Sequence, residues 1–473
     1  MSTPSPEAVL AGLWEGLNLP TAALSRVELT GDGPVLPSSF AVATAAQASL
    51  AAAALVASEW GALRHAGAPA GVSVPRVPAV LECSSHFLLD GVVPALWDPL
   101  SGLYPCGADV GAPEWVRLHA NFAHHRDRVL ALLGLAPGPA TSRDAVTRAL
   151  RAWTATAFED AAAAAGGVAS ALRGFDEWDA HPQARALGLE PLVALERVGD
   201  APPRPLPTAA MGAAPLAGLR VLDLTRILAG PVAGRLLAHW GAEVLMINSP
   251  HLPNIGAIAD LSRGKRSAQL DLDRPEDRHR LQALAATGHV FLQGYRPGAL
   301  AARGFSPEAL AAAAPGIVCV SLAAWGFAGP WAGRRGFDSL VQTATGFNLA
   351  EAAAAGRAVP MAMPVQILDH AAGHLLAFGA LAALHRQAAE GGSWHVKVSL
   401  ARTGKWLRSL GQDAAGLAAV APSHAPWLEE EDSGFGRLRA MPPTARFDGV
   451  ALRSALPAMP PGTNPPALLT GTA

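Results

Sequence analysis

The stretch Met363–Arg386, MPVQILDHAAGHLLAFGALAALHR, holds a single acid, Asp369. The residues after it are small or apolar on every face, from Ala371 through Gly373, Leu376 and Phe378 to Leu381. A helix that is apolar all round is a buried helix, and its Gly and Ala residues let neighbouring backbones come close. Asp369 therefore sits at or just before the start of a buried helix, where free N–H groups and the helix dipole favour an anion. Two readings fit that position: an N-cap, or a carboxylate nucleophile.

Other residues with chemical potential are weaker. Asp338, in RRGFD, fits a turn or cap beside Arg334 and Arg335 better than it fits catalysis. His119, His124 and His125 lack the spacing of a zinc site, so no metal centre is expected. Lys265-Arg266 is either a solvated basic pair or a contact for phosphates. The AGPVAG turn at 229–234 is not G-x-G-x-x-G and has no acid placed for a ribose, so a dinucleotide site is not expected. Trp325 and Phe327 fit either a core or the flank of an adenine or acyl chain.

The elements that must position these groups are read from pattern. Strands are predicted at 218–224, 243–247, 266–272, 289–293 and 316–322, with helices between them, and this alternation argues for a largely parallel sheet in an α/β domain. Residues 201–215, APPRPLPTAAMGAAP, read as an interdomain linker. Three segments result: 1–210, including a smaller domain; 215–410, the α/β domain with Asp369; and a Pro-rich tail, 411–473. With 473 residues, half of them hydrophobic, the chain has ample material for large cores. A net charge of −2 implies no general attraction to nucleic acid. Cys83, Cys106 and Cys319 form no metal or disulfide framework, and the N-terminus does not read as a signal peptide, so a cytoplasmic location is expected. No uncharged apolar run of about 18 residues is read, so a membrane span is not expected.

An internal repeat is also predicted. Shifting by 326 positions sets Ala45, Leu50 and Leu55 on Ala371, Leu376 and Leu381, and Val72, Ser73 and Arg76 on Val398, Ser399 and Arg402. Asp369 then meets Ala43, as if one copy keeps the acid and the other has lost it.

The stretches PLAGLRVLDLTRILAGPVAGRLLAHWGAEVL (215–245), RGKRSAQLDL (263–272), RPGALAARGF (296–305), WGFAGPWAGRRGFD (325–338) and ILDHAAGHLLAFGALAALHR (367–386) resemble the family III coenzyme A transferases, which include formyl-CoA and carnitine CoA-transferases and the α-methylacyl-CoA racemases. Residues 39–210 resemble that family's later half, so the chain looks like a later half joined ahead of an earlier half. The resemblance implies a Rossmann-like, largely parallel sheet domain with a second, smaller α/β domain. It implies that Asp369 is the nucleophile and that CoA is contacted by Leu228, Ala229, Leu270, Gly294, Tyr295, Arg296, Trp325, Gly326, Phe327 and Ala328. The substrates would be an acyl-CoA thioester and a carboxylic acid, with no tightly bound cofactor, in a homodimer or a monomer that imitates one. The resemblance leaves two other functions open: an acyl-CoA racemase, and a catalytically inert protein that binds CoA thioesters. Asn248 and Ser249 stand where the family usually has a glutamate and a contact residue, an expected arginine is displaced to Arg303, and the glycine-rich loop over the aspartate has no clear counterpart. An aspartate near its ordinary pKa of about 3.9 would be ionised at neutral pH and need no general base.

Overall fold

The computed structural model describes residues 3–64, 68–207, 213–452 and 456–469. The longest elements are two buried helices, α1 (Val42–Leu63) and α4 (Ile367–Glu390). Ala45, Ala46, Ala52 and Ala53 of α1 and Ala372, Leu376 and Phe378 of α4 are fully enclosed. Gly373 of α4 lies so near a third helix that a Cβ would stand 2.6 Å from the Ala229 carbonyl oxygen. By length and composition alone both helices could cross a membrane, but 94% of each apolar window is buried inside the protein. Helix α4 ends at Gly391, whose φ of 72° is left-handed and whose position a Cβ would drive to 2.2 Å from the Ala201 carbonyl oxygen.

The main sheet has seven strands: β1 (Ala194–Gly199), β2 (Arg220–Leu224), β3 (Glu243–Asn248), β4 (Arg266–Gln269), β5 (Val290–Gln293), β6 (Val318–Ala323) and β7 (Ser393–Ser399). Their spatial order is β4-β3-β2-β5-β6-β7-β1. All pairs are parallel except β7 with β1. This is the doubly wound order with one antiparallel edge strand added, and it fits the Rossmann-like sheet expected from the sequence. Valine- and leucine-rich strands such as β2 and β6, buried on both faces, are what such a sheet requires. In open sheets of this kind ligands bind beyond the carboxyl ends of the strands where the order reverses, here between β2 and β5. Helix α2 (Ala229–His239) leaves β2 at that point.

Residues 84–187 contain a smaller antiparallel sheet, Gly102–Cys106, Glu114–Leu118 and Ala169–Ala171, with its own core around Tyr104, Val116, Leu130 and Phe158. The three sequence segments interleave in space. Strand β1 closes one edge of the sheet supplied by 215–410. In the tail, Gly436–Ala440 pairs with Phe87–Leu89, Arg446–Phe447 pairs with Val72–Pro75, and Asn464 bonds Ser267 on the outer strand β4. Within the 201–215 stretch, residues 208–212 lie outside the described residues. The part before them packs on the end of α4, where the Gln387 side chain accepts from the Arg204 amide and donates to the Pro202 carbonyl.

Candidate active site

Asp369 is the third residue of α4, and its side chain does not cap the helix. The capping carboxylate is Asp338, at the start of α3 (Asp338–Ala344), whose Oδ2 accepts the Asp369 amide at 3.0 Å. The Gln342 side-chain amide donates to the other oxygen, and its carbonyl accepts the Met363 amide. Asp338 thus carries the helix-start role that Asp369 could have filled. The Asp369 carboxylate accepts no hydrogen bond among the described residues and is only 9% exposed.

Two buried carboxylates this close cannot both ionise freely. Burial pushes the Asp338 carboxyl up to about 6, against the bonds that favour its charged form. Burial, and then the neighbouring Asp338, hold Asp369 well above the usual carboxylate range. The expectation of an ordinary aspartate pKa is corrected: enclosure in α4 and a like charge at its head make this carboxylate basic and undersolvated.

A cavity of about 400 Å³ opens at the β2/β5 reversal. One end lies over the strand termini, at Leu270, Gly294, Tyr295, Arg296 and Leu300. The other runs under the smaller domain, at Phe122, His124, His125, Arg335 and Phe337. Phe337 precedes Asp338, but neither Asp338 nor Asp369 lines the cavity. Ile227 also lines the cavity, with φ 78°, a left-handed conformation unusual for a β-branched residue. It turns the chain sharply into α2, whose first amides, Ala229 and Gly230, have no partner within the helix. Gly373, one turn along α4 from Asp369, abuts Ala229. The head of α2 and the nucleophile candidate are therefore neighbours.

Among the residues singled out from sequence, Leu270, Gly294, Tyr295 and Arg296 line the cavity together. Leu228 and Ala229 are buried beside it, behind Ile227. Trp325 faces a separate small recess with Arg296. Gly326, Phe327 and Ala328 meet the chain's own 181–190 segment: Gln183 donates to the carbonyls of Trp325 and Ala328, and Glu190 accepts the Phe327 amide. Lys265 is not a phosphate contact. It is fully buried, paired with Asp223 at 2.8 Å and bonded to the Pro231 carbonyl, fixing the turn between β2 and α2. Arg266 lies 3.6 Å from Glu243 and donates to the Ala467 carbonyl. Among the described residues no group of three His, Cys, Asp or Glu could hold a metal ion.

Of the cavity's basic lining, Arg296 was named from the sequence and Arg226 was missed. Arg226 and Arg296 lie on the cavity wall without a carboxylate partner among the described residues, while Arg303 pairs with Asp273 at 2.7 Å. Arg226 follows a strand end at the order reversal, a position that could have marked it. His119 was also undervalued: it is buried and stacks on Phe337 with ring centres 3.7 Å apart.

Residues 216–420 match the model of CoA-transferase family III. An "Acyl-CoA transferase" of Gibberella moniliformis is 32% identical over 313 residues, covering 62% of this chain and 54% of that protein. The "Acetyl-coenzyme A transferase nodX" of Hypoxylon pulicicidum is 34% identical over 203 residues, covering 42% of this chain and 34% of that one. A crystal structure of a hypothetical protein, Rv3272, of Mycobacterium tuberculosis is 32% identical, covers 42% of this chain and 58% of that chain, and superposes with a TM-score of 0.39. The chain spans about half or less of the length of these two transferases. Residues 216–420, the stretch similar to CoA-transferase family III, supply the parallel strands, Asp338 and Asp369.

Proposed function

We propose that the protein is a CoA-transferase that moves CoA from an acyl-CoA thioester to a carboxylic acid, with Asp369 as nucleophile. The observation that carries this reading is a buried carboxylate relieved of capping by Asp338, one helical turn from Gly373, which abuts the head of α2 at the sheet's order reversal. CoA lies across the strand ends, and Arg226 and Arg296 face its phosphates.

The Asp369 carboxylate attacks the thioester carbonyl carbon. The C–S bond breaks, CoA leaves as the thiolate, and a mixed anhydride remains. The amides heading α2 stabilise the oxyanion that forms on the way. The thiolate then attacks the aspartyl carbon of the anhydride and releases the first acid, leaving an aspartyl–CoA thioester. The carboxylate of the second acid repeats the sequence in reverse and leaves as the new thioester, restoring Asp369. No general base is consumed, but Asp369 must be ionised to start. Burial under the smaller domain excludes the water that would hydrolyse the anhydride.

The first test is exchange. Incubated with an acyl-CoA and an isotopically labelled free acid of the same structure, the protein should move CoA to the labelled acid without net hydrolysis. Hydrolysis alone, or no exchange with any short acyl-CoA, would contradict the assignment.

One observation bears on a racemase reading: His119 lies against Phe337, the position where the family's racemases carry a histidine. Burial, and then Arg117, push His119 down to about 3, so at neutral pH it is a neutral ring and too weak a base to take a carbon-bound proton. Deuterium uptake at the α-carbon of a 2-methylacyl-CoA in heavy water should therefore be negligible, and rapid uptake would favour the racemase.

A further inference from the structure

The smaller domain brings two buried polar side chains to the head of α3, and the steps derived above use neither. The strand Glu114–Leu118 packs on α3, and Arg117 and His119 follow each other on one of its faces. Arg117 is 8% exposed, yet it makes no hydrogen bond or ion pair among the described residues, and its Nε is buried without a partner. His119 lies against Phe337 with its Nδ1 buried and also without a partner. A buried charge is ordinarily paired, because an enclosed ion with no counter-ion is costly. The acid whose charge Arg117 feels is Asp338. Asp338 is already taken, however: its oxygens accept the Gln342 side-chain amide and the Asp369 backbone amide. Burial lowers Arg117 to about 10, so it stays charged at neutral pH. Trp97 covers the pair, its ring 6.0 Å from the guanidinium carbon and 6.1 Å from the His119 ring, and it is 44% exposed. Trp97 thus stands between these two side chains and the surface.

We propose that Arg117 holds the carboxylate of the acid that receives CoA, on the smaller-domain side of the Asp338–Asp369 pair, with the neutral His119 ring beside it and Trp97 as its cover. This rests on the CoA-transferase reading of Asp369. The second acid is an anion that has to approach two buried carboxylates, and like charges oppose it. Arg117 is the unpaired cation set against them, and its planar fork fits a carboxylate through two parallel N–H bonds. Acylation removes the charge of Asp369, so the incoming carboxylate is then opposed by Asp338 alone and drawn by Arg117. Arg117 is thereby a binding residue for the acceptor and not for CoA.

The test compares an anionic acceptor with a neutral one in the full chain. Acetyl-, butyryl- or succinyl-CoA is supplied with acetate, butyrate or succinate, or instead with hydroxylamine, which takes the activated aspartyl group as a hydroxamate and needs no carboxylate site. Arg117→Gln should raise KM for the acid about tenfold or more, the loss expected for a charge-assisted bond. Its KM for the acyl-CoA and its rate of hydroxylamine labelling at Asp369 should stay within about threefold of the wild type. Arg117→Lys, which keeps the charge but not the fork, should fall between. Trp97→Ala, at a half-exposed position, should raise KM for the acid by a smaller factor and leave the labelling in place. An unchanged KM for the acid in Arg117→Gln would overturn the proposal. So would equal losses of acid transfer and of labelling, with Arg117→Lys no better than Arg117→Gln, which is what a purely structural arginine gives. Either result in an active wild type removes this proposal alone. A wild type that transfers CoA to none of these acids and takes no label at Asp369 removes it together with the reading beneath it.

Discussion

Helices α1 and α4 are alike in length, composition and burial, and they pack on each other, with Ser49 of one bonded to His374 of the other at 2.8 Å. Each is succeeded by a strand and a shorter helix: Val72–Pro75 and Arg76–Glu82 after α1, β7 and α5 (Leu400–Ser409) after α4. Their entrances differ. Ahead of α1 the buried carboxylate is Glu351, and it is fully engaged: the Ser39 amide donates to it at 2.9 Å, as do the hydroxyls of Ser38 and Ser39. Ala43 stands where the repeat would place the acid. At the head of α4, Asp338 takes the capping bonds and Asp369 is left unpaired in a nearly closed space. A satisfied buried acid is structural; one that accepts no hydrogen bond is left available to a reaction partner. The same scaffold thus presents one sealed entrance and one open one.

Exchanging the charged oxygen at each entrance should separate stability from chemistry. Asp369→Asn should lower CoA transfer by more than about a thousandfold, as loss of a nucleophile does, while the circular dichroism spectrum and CoA affinity are kept. It should also raise the melting temperature at neutral pH. A carboxyl raised above its unfolded value binds more protons in the native state, so the wild type loses stability as pH rises from the ordinary aspartate range through the raised folded value. The amide removes that loss. Glu351→Ala should do the opposite: it orphans Ser38 and Ser39 and costs about 1–3 kcal/mol in chemical denaturation, with turnover per folded molecule little changed. Equal loss of activity in both variants would erase the distinction between the entrances.

A smaller effect sharpens it. Transfer should rise with pH as Asp369 ionises, with an apparent pKa above the usual carboxylate range. Asp338→Asn removes the neighbouring negative charge, so the rise should move to lower pH. A profile that stays in place, or moves up, would mean that Asp338 does not set the ionisation of Asp369.

The fold was legible because its signals are local and repeated. Most strands from 218 to 322 are apolar runs bounded by turn residues, and α4 announces burial by lacking a polar face. The helix-start carboxylate was legible as a type of residue but not as an assignment, since Asp338 and Asp369 are 31 positions apart and only packing decides which one caps. The same holds for Lys265, whose place in the chain beside Arg266 suggests a surface pair and whose partner Asp223 is 42 positions away. The role of the first 210 residues was the least legible. His124 and His125 reach the cavity from the helix Ala123–Leu132 of the smaller domain, His119 stacks on Phe337, and no spacing in the chain connects them to Phe337. The raised pKa of Asp369 was hidden for the same reason: burial and a like charge come from elements that meet only on folding.

The central claim is that Asp369 becomes covalently acylated. Hydroxylamine added during turnover with an acyl-CoA should convert the activated aspartyl carbonyl to a hydroxamate, a mass change located by peptide mapping on the Met363–Arg386 stretch at Asp369. Its absence in the presence of turnover, or a label on Asp338 instead, would contradict the account.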